Sequence, residues 1–169
     1  MREELAVRKI IRLKDYDYSG AGYYFITICT KDKRKIFGTI DVGAAICRPS
    51  IRLTDIGQVV DLSINNICEI YPYISVDKYV IMPNHVHMIL CVGNLKDRRQ
   101  IAAPTTVSTV IGNMKRYASM QCGVSVWQKS FYEHIIRNEE DYQRIWQYID
   151  ENIAKWTDDK YYISEDKRF

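Results

Sequence analysis

The chain has 169 residues, of which 47% are hydrophobic and 27% charged, and its formal net charge is +3. That length fits a single domain over residues 1–169 that can bury a core without help from a disulfide or a metal. The composition excludes a disordered chain. No apolar run reaches the roughly 18 residues of a membrane span, and the charged start Met1–Lys9 lacks the apolar stretch of a secretory signal.

Arg8–Tyr18 is mixed basic and aromatic and reads as irregular or short-stranded, and Ser19-Gly20-Ala21-Gly22 marks a turn. Tyr23–Thr30 (YYFITICT) is β-branched and aromatic, the composition of a buried strand. Lys31–Lys35 (KDKRK) is a charged connection, and Asp41–Arg52 reads as a loop or a weak hairpin arm. Thr54 is placed to cap a helix to about Ile70, whose apolar face is Ile56, Val59, Val60, Ile64 and Ile67. Ile74–Met82 and His85–Val92 read as strands joined by the Pro83-Asn84 turn, an antiparallel hairpin.

After the charged connection Gly93–Ala103, Pro104–Met120 reads as a second helix with Val107, Val110, Ile111, Met114 and Ala118 inward. Val124–Arg137 starts extended and holds a last strand around His134–Ile136. Asn138, followed by Glu139, Glu140 and Asp141, is placed to cap a third helix running to about Trp156. The remainder, residues 158–169, is a charged and peripheral tail. Interleaved strands and helices around an antiparallel pair predict an α+β protein, a ferredoxin-like antiparallel sheet flanked by helices.

Two of the three histidines are His85 and His87. Residues i and i+2 of a strand share a face, so the two imidazoles stand side by side, as metal ligands do. Val86, Met88 and Leu90 face the core, which leaves the histidine face looking outward. Cys91 lies about 13 Å further along the strand, too far to join them. A further ligand therefore comes from another element. At about 100° per residue, Tyr142, Ile145, Ile149, Ile153 and Trp156 form the apolar stripe of the last helix. Tyr148 and Asn152 sit one turn apart on its flank, where a tyrosine nucleophile and an amide ligand can reach a cleft. Tyr142 falls inside the stripe, where packing is the simpler role, and Tyr132 lies in an aromatic extended segment. All three tyrosines are candidates on geometry alone.

The five cysteines, Cys29, Cys47, Cys68, Cys91 and Cys122, are odd in number and form no CxxC, as in a cytoplasmic protein with reduced thiols. Lys31, Lys33, Arg34 and Lys35, together with Lys115 and Arg116, form basic clusters that fit either a solvated face or phosphate contacts. Arg137 fits a phosphate anchor or a partner for the acidic helix start.

The segment Met82-Pro83-Asn84-His85-Val86-His87-Met88-Ile89-Leu90 resembles the HUH signature of tyrosine-1 transposases of the IS200/IS605 type. The run from Trp127 to Tyr142 (WQKSFYEHIIRNEEDY) resembles a segment of the REP-associated tyrosine transposases, as do Tyr23–Phe37 and Gly112-Asn113-Met114-Lys115. The resemblance covers about residues 8 to 156. It implies the HUH single-strand nuclease fold and a divalent metal, Mg²⁺ or Mn²⁺, held by His85, His87 and Asn152. It implies Tyr148 as the nucleophile that cuts single-stranded, hairpin-bearing DNA through a 5′-phosphotyrosine and then transfers the strand, in a monomer or a homodimer.

Lys31, Lys33, Arg34, Lys35, Lys115, Arg116 and Arg137 are the expected DNA contacts. The family carries Asn-Pro after the tyrosine; this chain has Asn152-Ile153, which lets the helix continue toward Trp156. Two rival readings are a catalytically idle module that binds structured DNA or RNA, and a zinc phosphoesterase that uses water as its nucleophile.

Overall fold

Two periodicities build the molecule: alternation along the strands and a 3.6-residue repeat along the helices. The computed structural model describes residues 21–41, 49–93 and 105–163. The expectations for Arg8–Tyr18, for the turn at 19–20, for Cys47, for most of the Gly93–Ala103 connection and for the last six residues fall outside them. The strands are β1 (Gly22–Cys29), β2 (Gly38–Asp41), β3 (Ser50–Leu53), β4 (Ile74–Met82), β5 (His85–Val92) and β6 (Tyr132–Ile136). The helices are α1 (Asp55–Ile70), α2 (Val107–Cys122) and α3 (Glu139–Glu151).

The main sheet has the order β4-β5-β1-β6, with every neighbouring pair antiparallel. With α1 between β1 and β4 and α2 between β5 and β6, this is the ferredoxin-like α+β arrangement predicted above. β2 and β3 form a separate two-stranded ribbon, the hairpin arm read into Asp41–Arg52.

Each face of the sheet has its own cover. Tyr24, Ile26 and Ile28 of β1 and Val86, Met88 and Leu90 of β5 pack against Val60, Ile64 and Ile67 of α1 and Val107, Val110, Ile111 and Met114 of α2. The opposite face carries Phe25, Val80, Met82, Ile89 and Ile136, covered by Ile145 and Ile149 of α3. Lys78 on β4 ties α3 down, pairing with Asp150 at 2.7 Å and lying 3.8 Å from the Trp146 ring centroid.

The caps follow the sequence. Thr54 accepts from the Gly57 N–H, Thr106 from Thr109 and Asn138 from Asp141. Gly123 ends α2 in the left-handed region at φ +66°. Among the described residues no helix is long and apolar enough to cross a membrane.

One glycine is required by close approach. A Cβ on Gly57 would lie 2.0 Å from the Phe37 carbonyl oxygen, a backbone atom that also accepts from the Thr54 N–H. Gly57→Ala must push α1 off the β2 side of the fold. We expect a loss of about 2 kcal/mol or more in urea unfolding, within the range for overpacked sites; an unchanged midpoint would show that α1 shifts freely.

Candidate metal and tyrosine centre

β5 presents His85 and His87 to the α3 face, and neither has any exposed surface. The expectation that this face looks outward is therefore corrected. α3 and the turn after it cover the face. Phe25 stacks on His87 at 5.3 Å between ring centroids, and Tyr161 lies 4.7 Å from His85 and 5.7 Å from His87.

The imidazoles still converge, with their Nε2 atoms 3.0 Å apart. Their orientation is fixed by neighbours. Asn84 Nδ2 donates to the carbonyls of Tyr161 (2.8 Å) and Lys33 (3.3 Å), so its Oδ1 faces His85 Nδ1 at 2.8 Å and accepts from it. The His85 proton is then on Nδ1, and Nε2 turns a bare lone pair toward His87. Thr27 Oγ1 holds His87 Nδ1 at 2.8 Å. Supporting contacts of this kind set the tautomer and direction of metal-binding imidazoles.

Burial lowers the pKa of both histidines; for His85 the neighbouring His87 lowers it further, and for His87 Asp159 opposes the shift. Both imidazoles are held neutral, the form that binds a metal. Two nitrogens bound at about 2.1 Å and a right angle to each other sit about 3.0 Å apart, the separation found here.

α3 brings the expected partners. Tyr148 Oη lies 3.2 Å from His87 Nε2, and the ring packs edge-on against His87 and Phe25. Tyr148 is 38% exposed, so it borders solvent. Asn152, one turn on, is buried, and its Oδ1 has no hydrogen-bond partner. An orphaned buried amide oxygen beside two neutral imidazoles suits a cation, and so the donor set fits a divalent metal. Burial, followed by the charge and hydrogen bond of Asp159, holds the Tyr148 phenol well above its ordinary pKa.

The helix end differs from expectation. α3 stops at Glu151, and Asn152 is its C-cap even without a following proline. The last turn tightens, with the Asn152 N–H donating to the Ile149 carbonyl at 3.4 Å, and a 3-10 turn follows at Trp156–Asp158. The chain thereby doubles back over the site. Residues 158–162 are not peripheral.

Asp159 accepts from Tyr148 Oη at 3.0 Å and from Asn152 Nδ2 at 3.1 Å, and its Oδ2 is 3.9 Å from His87 Nε2. Ligand atoms of His85, His87 and Asp159 all lie within 4.8 Å of one another. Burial alone would raise the Asp159 pKa, but its contacts with His87, the Tyr161 N–H and Asn152 bring it well below the carboxylate range. Sequence reasoning missed Asp159 and Asn84; the asparagine directly before the first histidine was the available signal.

Of the rival tyrosines, Tyr142 is far from the histidines and Tyr132 borders the site. Tyr142 donates to Asp77 and packs on Tyr23 at the far end of β1, with its phenol raised to about 12, first by that hydrogen bond. Tyr132 pairs with Thr27 across β1 and β6, and its ring is 6.4 Å from Phe25. His134 is 2.7 Å from Asp141, a structural contact.

The basic residues divide. Lys31–Lys35 follow β1 beside the histidines, with Lys33 over the Tyr161 ring at 5.7 Å and Lys35 over Tyr162 at 5.2 Å. Lys115 donates to the carbonyls of Gln128 (2.6 Å) and Lys129 (3.1 Å) and is half-buried, so it ties α2 to the segment before β6. Arg116 is exposed on α2. Arg137 is exposed beside Tyr23 and Tyr142, at the opposite end of the sheet from the histidines.

No protein-family model matches the chain. A functionally uncharacterised protein of Haemophilus influenzae is 35% identical over 92% of this chain and 93% of its own length. A second protein of that organism, provisionally named a REP-associated tyrosine transposase, is 25% identical over 82% of this chain and 74% of its own. The solved structure of a REP-associated tyrosine transposase bound to a REP hairpin shares the fold, with a TM-score of 0.63 and 23% identity over 86% of this chain and 74% of that one. The chain is thus related to the uncharacterised Haemophilus influenzae protein, is similar to the one provisionally named a REP-associated tyrosine transposase, and shares the fold of the solved REP-associated tyrosine transposase.

Proposed function

We propose that the protein is a metal-dependent endonuclease and strand transferase acting on single-stranded, hairpin-bearing DNA in the cytoplasm, with Tyr148 as nucleophile. The observation that carries this reading is the placement of Tyr148 Oη 3.2 Å from His87 Nε2, at the edge of a neutral donor set that includes the orphaned Asn152 Oδ1. His85, His87 and Asn152 would hold Mg²⁺ or Mn²⁺. When bound, the ion supplies a Lewis acid for the scissile phosphate and a positive charge that favours the phenolate.

The rest is the work of the chain. Tyr148 Oη forms the bond to phosphorus and the bond from phosphorus to the 3′-oxygen breaks, leaving a 5′-phosphotyrosine. The phenolic proton, passed through solvent, appears on the departing 3′-OH. A 3′-OH that re-enters reverses the step and needs no other energy source, because the phosphodiester is conserved in the protein–DNA bond. Asn84 and Thr27 keep the imidazoles oriented through both steps.

The cleft on the Tyr148 side is lined by Tyr148, Glu151, Asn152, Lys155, Asp158 and Asp159. Lys31, Lys33, Arg34 and Lys35 rim the histidine end and are our assigned phosphate contacts. Arg116 and Arg137 are assigned to more distant parts of the DNA. Lys115 keeps a structural role in this assignment.

The test is an adduct assay with a hairpin-bearing single strand and Mg²⁺ or Mn²⁺. A label on the 3′ end should travel with the protein in denaturing gels, and a label on the 5′ end should be released in a fragment ending in a 3′-OH. Binding without any adduct, across a panel of such strands, would sink the nuclease reading and leave a module that only holds structured nucleic acid.

A further inference from the structure

The fold delivers a carboxylate into the same pocket. Asp159 lies in the turn after α3, and its side chain is 1% exposed. A buried carboxylate is costly unless a positive charge or a full set of donors meets it. Among the described residues the ion-pair contact recorded for Asp159 is His87, at 3.9 Å and itself fully buried. Its hydrogen bonds come from Tyr148 Oη, Asn152 Nδ2 and, at 2.6 Å to Oδ1, the Tyr161 N–H. These donors are dipoles, and among the described residues no lysine or arginine pairs with Asp159.

The pocket has a complementary deficit. His85 Nε2 offers a lone pair, Asn152 Oδ1 is unpartnered, and the ligand atoms of His85, His87 and Asp159 fall within 4.8 Å. Two imidazoles and an amide are neutral ligands, whereas Mg²⁺ and Mn²⁺ favour anionic oxygen. The carboxylate is also positioned rather than free. The Tyr161 N–H holds its Oδ1, and the Tyr161 carbonyl accepts from Asn84 Nδ2, the group whose Oδ1 orients His85. One asparagine thus braces both a histidine and the turn that carries Asp159.

We propose that Asp159 is a fourth protein ligand of the divalent ion held by His85, His87 and Asn152, an anionic oxygen brought in by the turn that closes over the histidine face. The inference rests on the metal reading of the site and adds to it a residue outside the His-x-His and tyrosine–amide pattern. The turn at Trp156–Tyr162 is then part of the metal centre.

Mn²⁺ binding by the full chain, followed by titration calorimetry and by the loss of the free-ion electron paramagnetic resonance signal, tests it without reference to cleavage. Asp159→Asn keeps the size of the side chain and one acceptor oxygen and removes the charge. It should bind Mn²⁺ about 10-fold or more weakly than wild type, and His87→Ala should show no specific site. Wild-type affinity in Asp159→Asn, with loss in His87→Ala, would overturn the ligand assignment and leave the metal reading intact. No Mn²⁺ site in wild type would overturn both. Should Asp159→Asn fail to fold, Asp159→Ser takes its place with the same expectations, and the Mn²⁺-dependent rise in melting temperature gives an independent reading of affinity.

Discussion

Replacing Tyr148 by Phe should leave the protein folded and able to hold DNA, and should eliminate the covalent adduct, a loss of at least about three orders of magnitude. The ring contacts with His87 and Phe25 do not involve the hydroxyl and survive the change. What is lost is the pair of contacts from Oη to His87 Nε2 and Asp159 Oδ2. Removing one hydrogen bond to a charged acceptor at a partly exposed site costs about 1–2 kcal/mol of stability. The chemical effect is far larger because the hydroxyl removed is the one that meets His87 Nε2 at 3.2 Å. Tyr142 is held on Asp77 at the other end of the sheet, so Tyr142→Phe should form adduct like wild type. Cleavage that persists in Tyr148→Phe without adduct would transfer the role of nucleophile to water and support a phosphoesterase.

The native phenol is held protonated by the same pocket that positions it. Burial and the Asp159 charge both raise its pKa, so the resting site disfavours the nucleophilic form. A cation held by His85, His87 and Asn152 would oppose that field, so in the proposed reaction cleavage would depend on the metal. α3 positions the phenol, and activation would come from the ion.

Much of this site was legible in local pattern. Alternation along His85–Val92 put both histidines on one face, and the helical repeat in 139–151 put Tyr148 and Asn152 one turn apart on the flank of the stripe that buries Ile145 and Ile149. Such periodicities act over a few residues and survive in any tertiary context. The strand order is also implied by helices that separate strands and a hairpin that joins two of them.

Asp159 was not legible, because its role depends on a chain reversal after α3 that no periodicity announces. Asp158, Asp159 and Lys160 read as solvated charge, and only the fold shows that Asp159 turns in while Lys160 stays out. Lys115 shows the opposite limit: a cation on a helix reads as available, and the structure places two backbone carbonyls at its ammonium. Burial of the histidine face has the same origin, since it requires the tail to fold back across a strand more than sixty positions earlier in the chain.

In the presence of a chelator, the protein should lose stability steeply between pH 6.5 and pH 5, and the pair His85 and His87 should account for most of the loss. An unfolded histidine takes up its proton near pH 6.5. Burial lowers the pKa of both residues in the fold, with His87 adding to the effect at His85, so the native state stays unprotonated where the unfolded chain does not. The stability tied to these residues is therefore fully present above pH 6.5 and is drained as pH falls toward their native values. His85, its pKa lowered to about 2, contributes up to about 1.4 kcal/mol per pH unit in that window. Falling from pH 6.5 to pH 5 then costs about 2 kcal/mol at His85, and His87, lowered by burial, adds a loss of the same sign. Asp159 does not contribute in this window. Its pKa is depressed in the fold, so its stabilisation is lost only as pH falls below the ordinary aspartate value of about 3.9. Urea unfolding of wild type and of a His85→Gln/His87→Gln variant at pH 7.5 and pH 5.0 separates the contributions. The wild-type midpoint should fall sharply and that of the variant only slightly. Equal shifts in the two proteins would mean that the imidazoles protonate freely in the native state, and that the face between β5 and α3 opens to water more readily than its packing implies.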